Sequence, residues 1–303
     1  MSRKLFGLTV LLVLLGTSAA SAQTIYGSAY SETFGGGVPG PSFLYSISAT
    51  TGAATLIGPI GFPGVGSLAT APNGTLYGVA NVASGAGTAV LITINTTTGA
   101  GTLVGDTGVS DRFKDIAFRS DGILFGYGAA KLYTFNIATG AATLVGPTNI
   151  STSEEGHALA FSSTNMLYTA SDIKLDTLNP STGAANTIPP PVPLTYSPAF
   201  GPNKSRANGM KFDLCTGTLY ASVVNGIAET GTAANLWSLG IINITTGNVS
   251  RVGPTINGLD AIALPCIPPV AVPALSPFGQ MLFVFAIFLS GLLFLRHRLF
   301  PAS

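Results

Sequence analysis

Lys131-Leu132-Tyr133-Thr134-Phe135-Asn136-Ile137-Ala138-Thr139-Gly140-Ala141-Ala142-Thr143-Leu144-Val145-Gly146 reads as one β-hairpin. Two short alternating runs flank a polar turn that ends in glycine, the pattern of paired strands rather than a helix. The same frame recurs along the chain. Its Thr-Gly pair stands at Thr51-Gly52, Thr98-Gly99, Thr139-Gly140, Thr182-Gly183 and Thr246-Gly247. The strand before it is Phe43–Ile47, Val90–Ile94, Lys131–Phe135, Lys174–Leu178 and Asn235–Leu239. The strand after it is Ala54–Gly58, Gly101–Gly105, Ala142–Gly146, Ala185–Ile188 and Val249–Gly253.

Two further strands complete each unit. One is Ser67-Leu68-Ala69, matched by Asp115–Phe118, Ala158–Phe161, Gly209–Phe212 and Ala261–Leu264. The other is Leu76-Tyr77-Gly78, matched by Leu124–Gly126, Leu167–Thr169, Leu219–Ala221 and Ile25–Gly27. Four short antiparallel strands every roughly 40–50 residues resemble the blade of a β-propeller repeat protein. The resemblance spans about residues 23–265 and implies an all-β fold of five four-stranded blades. It implies that the Ala261–Leu264 type of strand lies innermost, and that the last such strand completes the first blade and shuts the ring. An open sandwich of sheets is the alternative arrangement. The longer interval between Thr182 and Thr246 is expected to hold a Pro-rich loop, Pro189 to Pro202. Cys215 and Cys266 fall just after an innermost strand, in the fifth blade and the closing strand, so ring closure makes them neighbours. The expectation is a Cys215–Cys266 disulfide; two unpaired buried cysteines are the alternative.

Both ends read as targeting segments. Residues 1–22 carry Arg3 and Lys4, an apolar run from Leu5 to Leu15, and Ala20-Ser21-Ala22. That is a signal peptide with cleavage before Gln23, or else an uncleaved anchor. Residues 23–266 are then the ectodomain, and 267–277 a Pro-rich linker. Residues 278–298 read as a transmembrane helix and its basic stop, Arg296-His297-Arg298. A buried core helix and a lipid-anchor signal are the alternatives. Before the helix stand Val272-Pro273-Ala274-Leu275-Ser276-Pro277-Phe278-Gly279. The order of motif, helix and arginines resembles the IPTL-CTERM sorting domain of Gram-negative bacteria, with Pro273, Leu275, Ser276 and Gly279 matching and Val272, Ala274 and Phe278 departing from it. The resemblance implies an exosortase-type transpeptidase and the secretion machinery as partners, and delivery to the envelope or surface matrix. Until processed, the tail would hold the chain in the inner membrane with the propeller outside.

Composition narrows the chemistry. Of 303 residues, 47% are hydrophobic and 8% charged, the reverse of a disordered chain. Without Arg3, Lys4, Arg296 and Arg298 the ectodomain carries nine basic against twelve acidic residues. It offers no basic surface for nucleic acid. His157 is its one histidine, following Glu154-Glu155-Gly156, and no nucleophile elbow, phosphate loop or zinc-protease motif accompanies it. Neither a cofactor nor a metal is called for and no catalytic residue is assigned. Asp106, Asp111 and Asp115 could supply some of the oxygen ligands that calcium needs, but their spacing matches no EF-hand loop; a solvated network of Asp106 and Asp111 with Arg112 and Lys114 is the preferred reading of that loop.

The residue before each innermost strand is Gly66, Lys114, His157, Asn208 or Asp260. In a ring these five gather at one mouth of the channel. Four are polar and none repeats, so Lys114, His157, Asn208 and Asp260 are the candidate ligand-binding residues. The functional expectation is a surface- or matrix-associated binding or scaffold protein of a Gram-negative envelope, its partner a polysaccharide or surface protein. The alternative is a propeller hydrolase or lyase acting on extracellular polysaccharide through mouth carboxylates and His157.

Overall fold

The computed structural model describes residues 24–30, 40–81, 88–151, 156–186, 190–200, 205–225 and 237–265. The chain divides into two compact units, Met1–Cys266 and Ile267–Ser303, and every described residue belongs to the first. Residues 1–22 and 267–298, including Val272 to Gly279, Arg296 and Arg298, lie outside the described residues. Among the described residues no helix is long and apolar enough to cross a membrane.

The first blade holds β1 (Thr24–Tyr30), β2 (Pro41–Ser48) and β3 (Ala54–Pro63). The second is β4 (Val65–Thr70), β5 (Leu76–Ala80), β6 (Val90–Ile94) and β7 (Gly101–Asp106). The third is β8 (Phe113–Phe118), β9 (Leu124–Gly128), β10 (Lys131–Phe135) and β11 (Ala142–Pro147). The fourth is β12 (Gly156–Phe161), β13 (Leu167–Ser171), β14 (Lys174–Leu178) and β15 (Val192–Pro193). After β16 (Thr195–Tyr196) come β17 (Ser205–Phe212), β18 (Leu219–Asn225), β19 (Trp237–Ile242) and β20 (Asn248–Pro254) of the fifth. The last strand, β21 (Leu259–Ala263), pairs antiparallel with β1 and so completes the first blade. Strands β21, β4, β8, β12 and β17 are innermost. Each packs on the next, and β17 on β21, so the ring is closed. The structure is thus an all-β, five-bladed propeller arrangement, not an open sandwich.

The repeated residues explain how the blades form and mesh. In the turn after β6, Asn95 Oδ1 accepts the Thr97 and Thr98 N–H groups at 2.9 and 3.0 Å, and its carbonyl accepts Gly99 N–H. Such a side-chain-closed loop demands a left-handed residue at its end, and Gly99 has φ +82°. Asn136, Asn179 and Asn243 close the equivalent loops, and Ser48 does so through its hydroxyl. A further copy sits at Asp213–Gly217, between β17 and β18, where the sequence frame did not place one.

Each Thr-Gly turn also leans on the outer strand of its neighbouring blade. The Thr98, Thr139, Thr182 and Thr51 carbonyls rest on Gly58, Gly105, Gly146 and Gly253, where a methyl group would collide with the oxygen. The glycine that ends each outer-strand repeat is therefore a close-approach residue.

Between the blades lie five apolar clusters, one per interface, among them Leu44 with Val65 and Ile92, and Ile25 with Leu239 and Leu259 at the closing seam. The aromatic residues of the repeat meet across three interfaces: Tyr77 with Phe118, Phe125 with Phe161, and Tyr168 with Phe212, at centroid separations of 5.4, 5.2 and 5.5 Å. One blade contributes the aromatic of its second strand and the next blade the end of its innermost strand. Such ring pairs add roughly 0.5–1.5 kcal/mol beyond the area they bury.

Two features differ from expectation. The fourth strand of the fourth blade is β15; of the expected Ala185–Ile188, Ala185 bridges Leu178 and Asn186 N–H donates to the Thr177 carbonyl, and residues 187 and 188 lie outside the described residues. The Pro-rich interval is also more than a loop, since it supplies β15, a 3₁₀ turn at Pro198–Phe200, and β16, which adds parallel to the outer edge of β20. Cys215 is disulfide-bonded. Cys266, the other cysteine of the sequence, lies outside the described residues.

Candidate functional site

Each innermost strand is interrupted at the same place. Pairing skips Gly66 in β4, Lys114 in β8, His157 in β12, Asn208 in β17 and Asp260 in β21. These are the five residues that the sequence placed at the channel mouth, and each is an extra residue opposite one on its partner strand. Such a bulge ends regular pairing and re-aims the side chain it carries. The column is therefore a backbone device repeated in every blade, with the side chain left free to differ.

The structure brings Asn208 and Asp260 into direct contact. Asn208 Nδ2 donates to Asp260 Oδ1 at 2.8 Å, and the Tyr30 hydroxyl donates to Asp260 Oδ2 at 2.9 Å. Arg206 Nε donates to the Asn208 amide oxygen at 3.2 Å, and Arg112 reaches the Tyr30 hydroxyl at 3.5 Å. A row Arg112–Tyr30–Asp260–Asn208–Arg206 thus crosses the mouth. Gly66 lies beneath it, and a Cβ there would stand 2.9 Å from Asp260 Oδ2, so the missing side chain makes room for the carboxylate. Lys114 is exposed; the side chain of His157 lies outside the described residues.

Inside the ring, the innermost strands of two blades are joined by a buried pair that the sequence reading missed. Asp115 of β8 and Lys211 of β17 belong to non-adjacent blades. Lys211 Nζ donates to both Asp115 oxygens, at 2.8 and 2.7 Å, and also to the carbonyls of Leu159 and Met210. Asp115 further accepts the N–H groups of Ile116, Leu159 and Met210. Asp115 is fully buried. Burial pushes its carboxyl up to about 6 against the pull of Lys211 and the backbone donors. Burial likewise lowers Lys211, against the attraction of Asp115.

A signal for this pair exists in the alignment of the blades. The first inner position reads Ser67, Asp115, Ala158, Gly209, Ala261, and the third reads Ala69, Ala117, Ala160, Lys211, Ala263. One acid and one base each interrupt a column of small residues.

The other acidic candidates disperse. Asp106 bonds the Thr88 hydroxyl and Gly108 N–H. Asp111 takes Lys131 at 3.0 Å and the Tyr133 hydroxyl at 2.6 Å. Burial opposes its ionisation, but these two partners outweigh burial and hold its carboxyl below the usual range. With Asp115 in the channel, the three do not converge on one cation, and among the described residues no cluster of metal-binding side chains occurs.

Fold and site together define a five-bladed β-propeller arrangement closed by its own last strand, with a buried charge pair between two of its innermost strands and a bulge at the same register of all five. No family model and no curated protein matches the chain. Among solved structures it is similar to a chain described as "The de novo evolutionary emergence of a symmetrical protein is shaped by folding constraints". That likeness has 20% identity and a TM-score of 0.48, covering 79% of this chain and 97% of that one. A protein of unknown function from Bacteroides caccae is similar at 14% identity and TM-score 0.45, covering 80% and 99%. A chain of a nidogen/laminin complex is similar at 13% identity and TM-score 0.44, covering 74% and 76%. None of these likenesses bears on function.

Proposed function

We propose that this chain is an exported binding propeller of a Gram-negative envelope, whose ligand seats on the channel mouth around Asp260 and Asn208. The observation that carries the reading is the bulge column. Five equivalent backbone sites carry Gly66, Lys114, His157, Asn208 and Asp260, while the Thr-Gly turn column repeats unchanged in all five blades. Selection for shape alone would leave the mouth column uniform; a ligand asks for different groups at different points around the ring.

The connections support the same face. Residues 31–40, 81–89 and 226–236 join strands whose ends, at Tyr30, Ala80 and Asn225, lie at the mouth. The opposite face carries the short, near-identical Thr-Gly turns. In repeat proteins, insertions collect on the face that binds. Residues 1–22 would export the chain, and residues 272–298 would sort it through an exosortase-type transpeptidase.

The test is binding of the full chain to a broad glycan array and to the producing organism's exopolysaccharide. The expected result is saturable binding that Asp260→Ala weakens by about tenfold or more, one hydrogen-bonded charge being worth that much. Binding of no glycan, or equal binding by Asp260→Ala and His157→Ala, overturns the proposal.

A further inference from the structure

Each blade is an antiparallel meander, so the turns after its innermost and third strands all emerge on the face opposite the mouth. They are residues 71–75, 119–123, 162–166 and 213–218, and the Thr-Gly turns 49–53, 95–100, 136–141, 179–184 and 243–247. Their charged residues are Arg119, Asp121 and Asp213. Arg119 Nε and Nη2 donate to the Asp121 carboxylate at 3.1 and 2.7 Å, so these two charges cancel. Asp213 is buried and accepts the Cys215 N–H and the Thr216 hydroxyl within its own turn. The mouth side differs. Asp106, Asp111, Lys114, Lys131, Arg206 and Asp260 stand there at strand ends or in connections. Residues 31–39, 152–155, 201–204 and 226–236, which hold Glu32, Glu154, Glu155, Lys204 and Glu229, also join strands at mouth-side ends.

Exposed apolar side chains follow the reverse pattern. Ile123, Ile137, Met166, Leu214 and Ile244 lie in the turns opposite the mouth, exposed by 37–45%. Leu56, Leu103 and Leu144, exposed by 55–56%, come just after three of the turn glycines, at the foot of the outer strands. Among the described residues Ile173 alone is a large exposed hydrophobic on the mouth side. Single exposed aliphatics are ordinary, but a face that gathers them and carries no net exposed charge marks a contact surface. The chain also enters and leaves the propeller through this face. Thr24 pairs with Ser48 at the start of a Thr-Gly turn, and β21 runs down to Ala263 opposite Tyr26.

We infer that the face opposite the mouth is a lipid-docking surface, its turn aliphatics seated at the headgroup–acyl boundary of a bilayer and its threonine and asparagine groups among the headgroups. Interfacial binding of this kind grows with the apolar area buried. The charge pattern fits it. The ectodomain has more acidic than basic residues, and like charge repels it from anionic headgroups; only the uncharged face comes close without that cost. The chain path fits it too, since beyond Pro265 the sequence leads to residues 278–298, which read as a membrane helix and its basic stop. A second copy on this face would have to close over both points where the chain enters and leaves. The inference concerns the face away from the proposed ligand mouth, so neither reading depends on the other.

The experiment places the full chain in vesicles of phosphatidylethanolamine and phosphatidylglycerol, with plain or brominated acyl chains, and reads tryptophan fluorescence. Trp237 is the sequence's one tryptophan and opens β19 at its mouth-side end, so the unaltered chain reports from the far face. Trp237→Phe/Ile137→Trp moves the reporter into a turn of the docking face. Turn tips sunk roughly 5–10 Å into the boundary reach the brominated carbons. Emission from position 137 should therefore shift to the blue and be quenched, while Trp237 is not quenched. A further variant of the position-137 reporter carries Ile123→Thr, Met166→Thr and Ile244→Thr. Thr75, Thr218 and Thr96 already occupy the equivalent turn positions of other blades, so it should keep the wild-type circular dichroism and lose most of the quenching. No quenching at position 137, equal quenching of Trp237, or quenching that survives the three threonines overturns the inference. A blue shift without quenching, together with cross-linking to a doubled mass, assigns the face to a second copy and overturns it as well.

Discussion

Removing the Lys211 ammonium from its buried pair with Asp115 should destabilise the propeller in a way that depends on pH with a defined sign. Lys211→Met keeps the length of the side chain but leaves Asp115 fully buried without its counter-charge. Breaking a buried pair from one side costs about 3–5 kcal/mol, a large share of the stability of a domain. The Asp115 carboxyl already stands at about 6 with Lys211 present, and without that cation burial alone drives it higher. A carboxyl raised in the folded state contributes stability that is fully present below its unfolded value and is lost as pH rises through the folded value. Lys211→Met should therefore be most destabilised near about pH 8 and recover toward about pH 5. Asp115→Asn should behave oppositely. It strands a lysine lowered by burial, so its deficit should shrink as pH rises toward the lysine range. The double variant Asp115→Asn/Lys211→Met carries no buried charge. It should recover most of the summed loss and show neither trend, because the pair is held against a desolvation cost that neutral groups do not face. Urea unfolding followed by tryptophan fluorescence and circular dichroism, over that pH range, measures all three. Additive single and double losses without opposite pH trends would refute the reasoning.

The blade interfaces and the seam give two further tests. Gly105→Ala drives a methyl into the Thr139 carbonyl of the next blade, at a backbone conformation that alanine adopts without strain, and should cost about 1–3 kcal/mol by overpacking. A thermal melt unchanged from wild type would dismiss the interlock. Titration of thiols in the denatured, unreduced chain should find none, because Cys215 is bonded and Cys266 is the one other cysteine of the sequence. Two titratable thiols would dismiss the seam disulfide.

The ring was legible in the sequence because its devices are local and repeat. A left-handed glycine closing an Asn- or Ser-capped loop leaves a fixed trace, and so do the aromatic that crosses to the next blade and the glycine that yields to a carbonyl. The fourth blade broke the frame where that trace fades. Pro189, Pro190 and Pro191 supply no backbone N–H and carry none of the repeat's residues, so the sequence frame held no sign that the blade's fourth strand would come from Val192 and Pro193, which pair with Leu175 and Lys174. Strand β16 could not be read at all, since its partner edge on β20 lies more than a whole blade away in sequence. At the mouth, alignment found Lys114, Asn208 and Asp260 because a bulge recurs at one register. It passed over Tyr30, Arg112 and Arg206, which reach the same place from strand ends and loops with no common frame. Asp115 and Lys211 were visible only as exceptions to columns of small residues, and two exceptions in distant blades become a pair only when the ring is closed.

Saturable glycan binding should be compared for the full chain, for Asp260→Ala at the mouth, and for Asn95→Ala in a turn on the opposite face, each first checked for an unchanged fold by circular dichroism. Asp260→Ala should lose binding and Asn95→Ala should keep it. Binding kept by Asp260→Ala, or lost in Asn95→Ala, would contradict the mouth as the binding face.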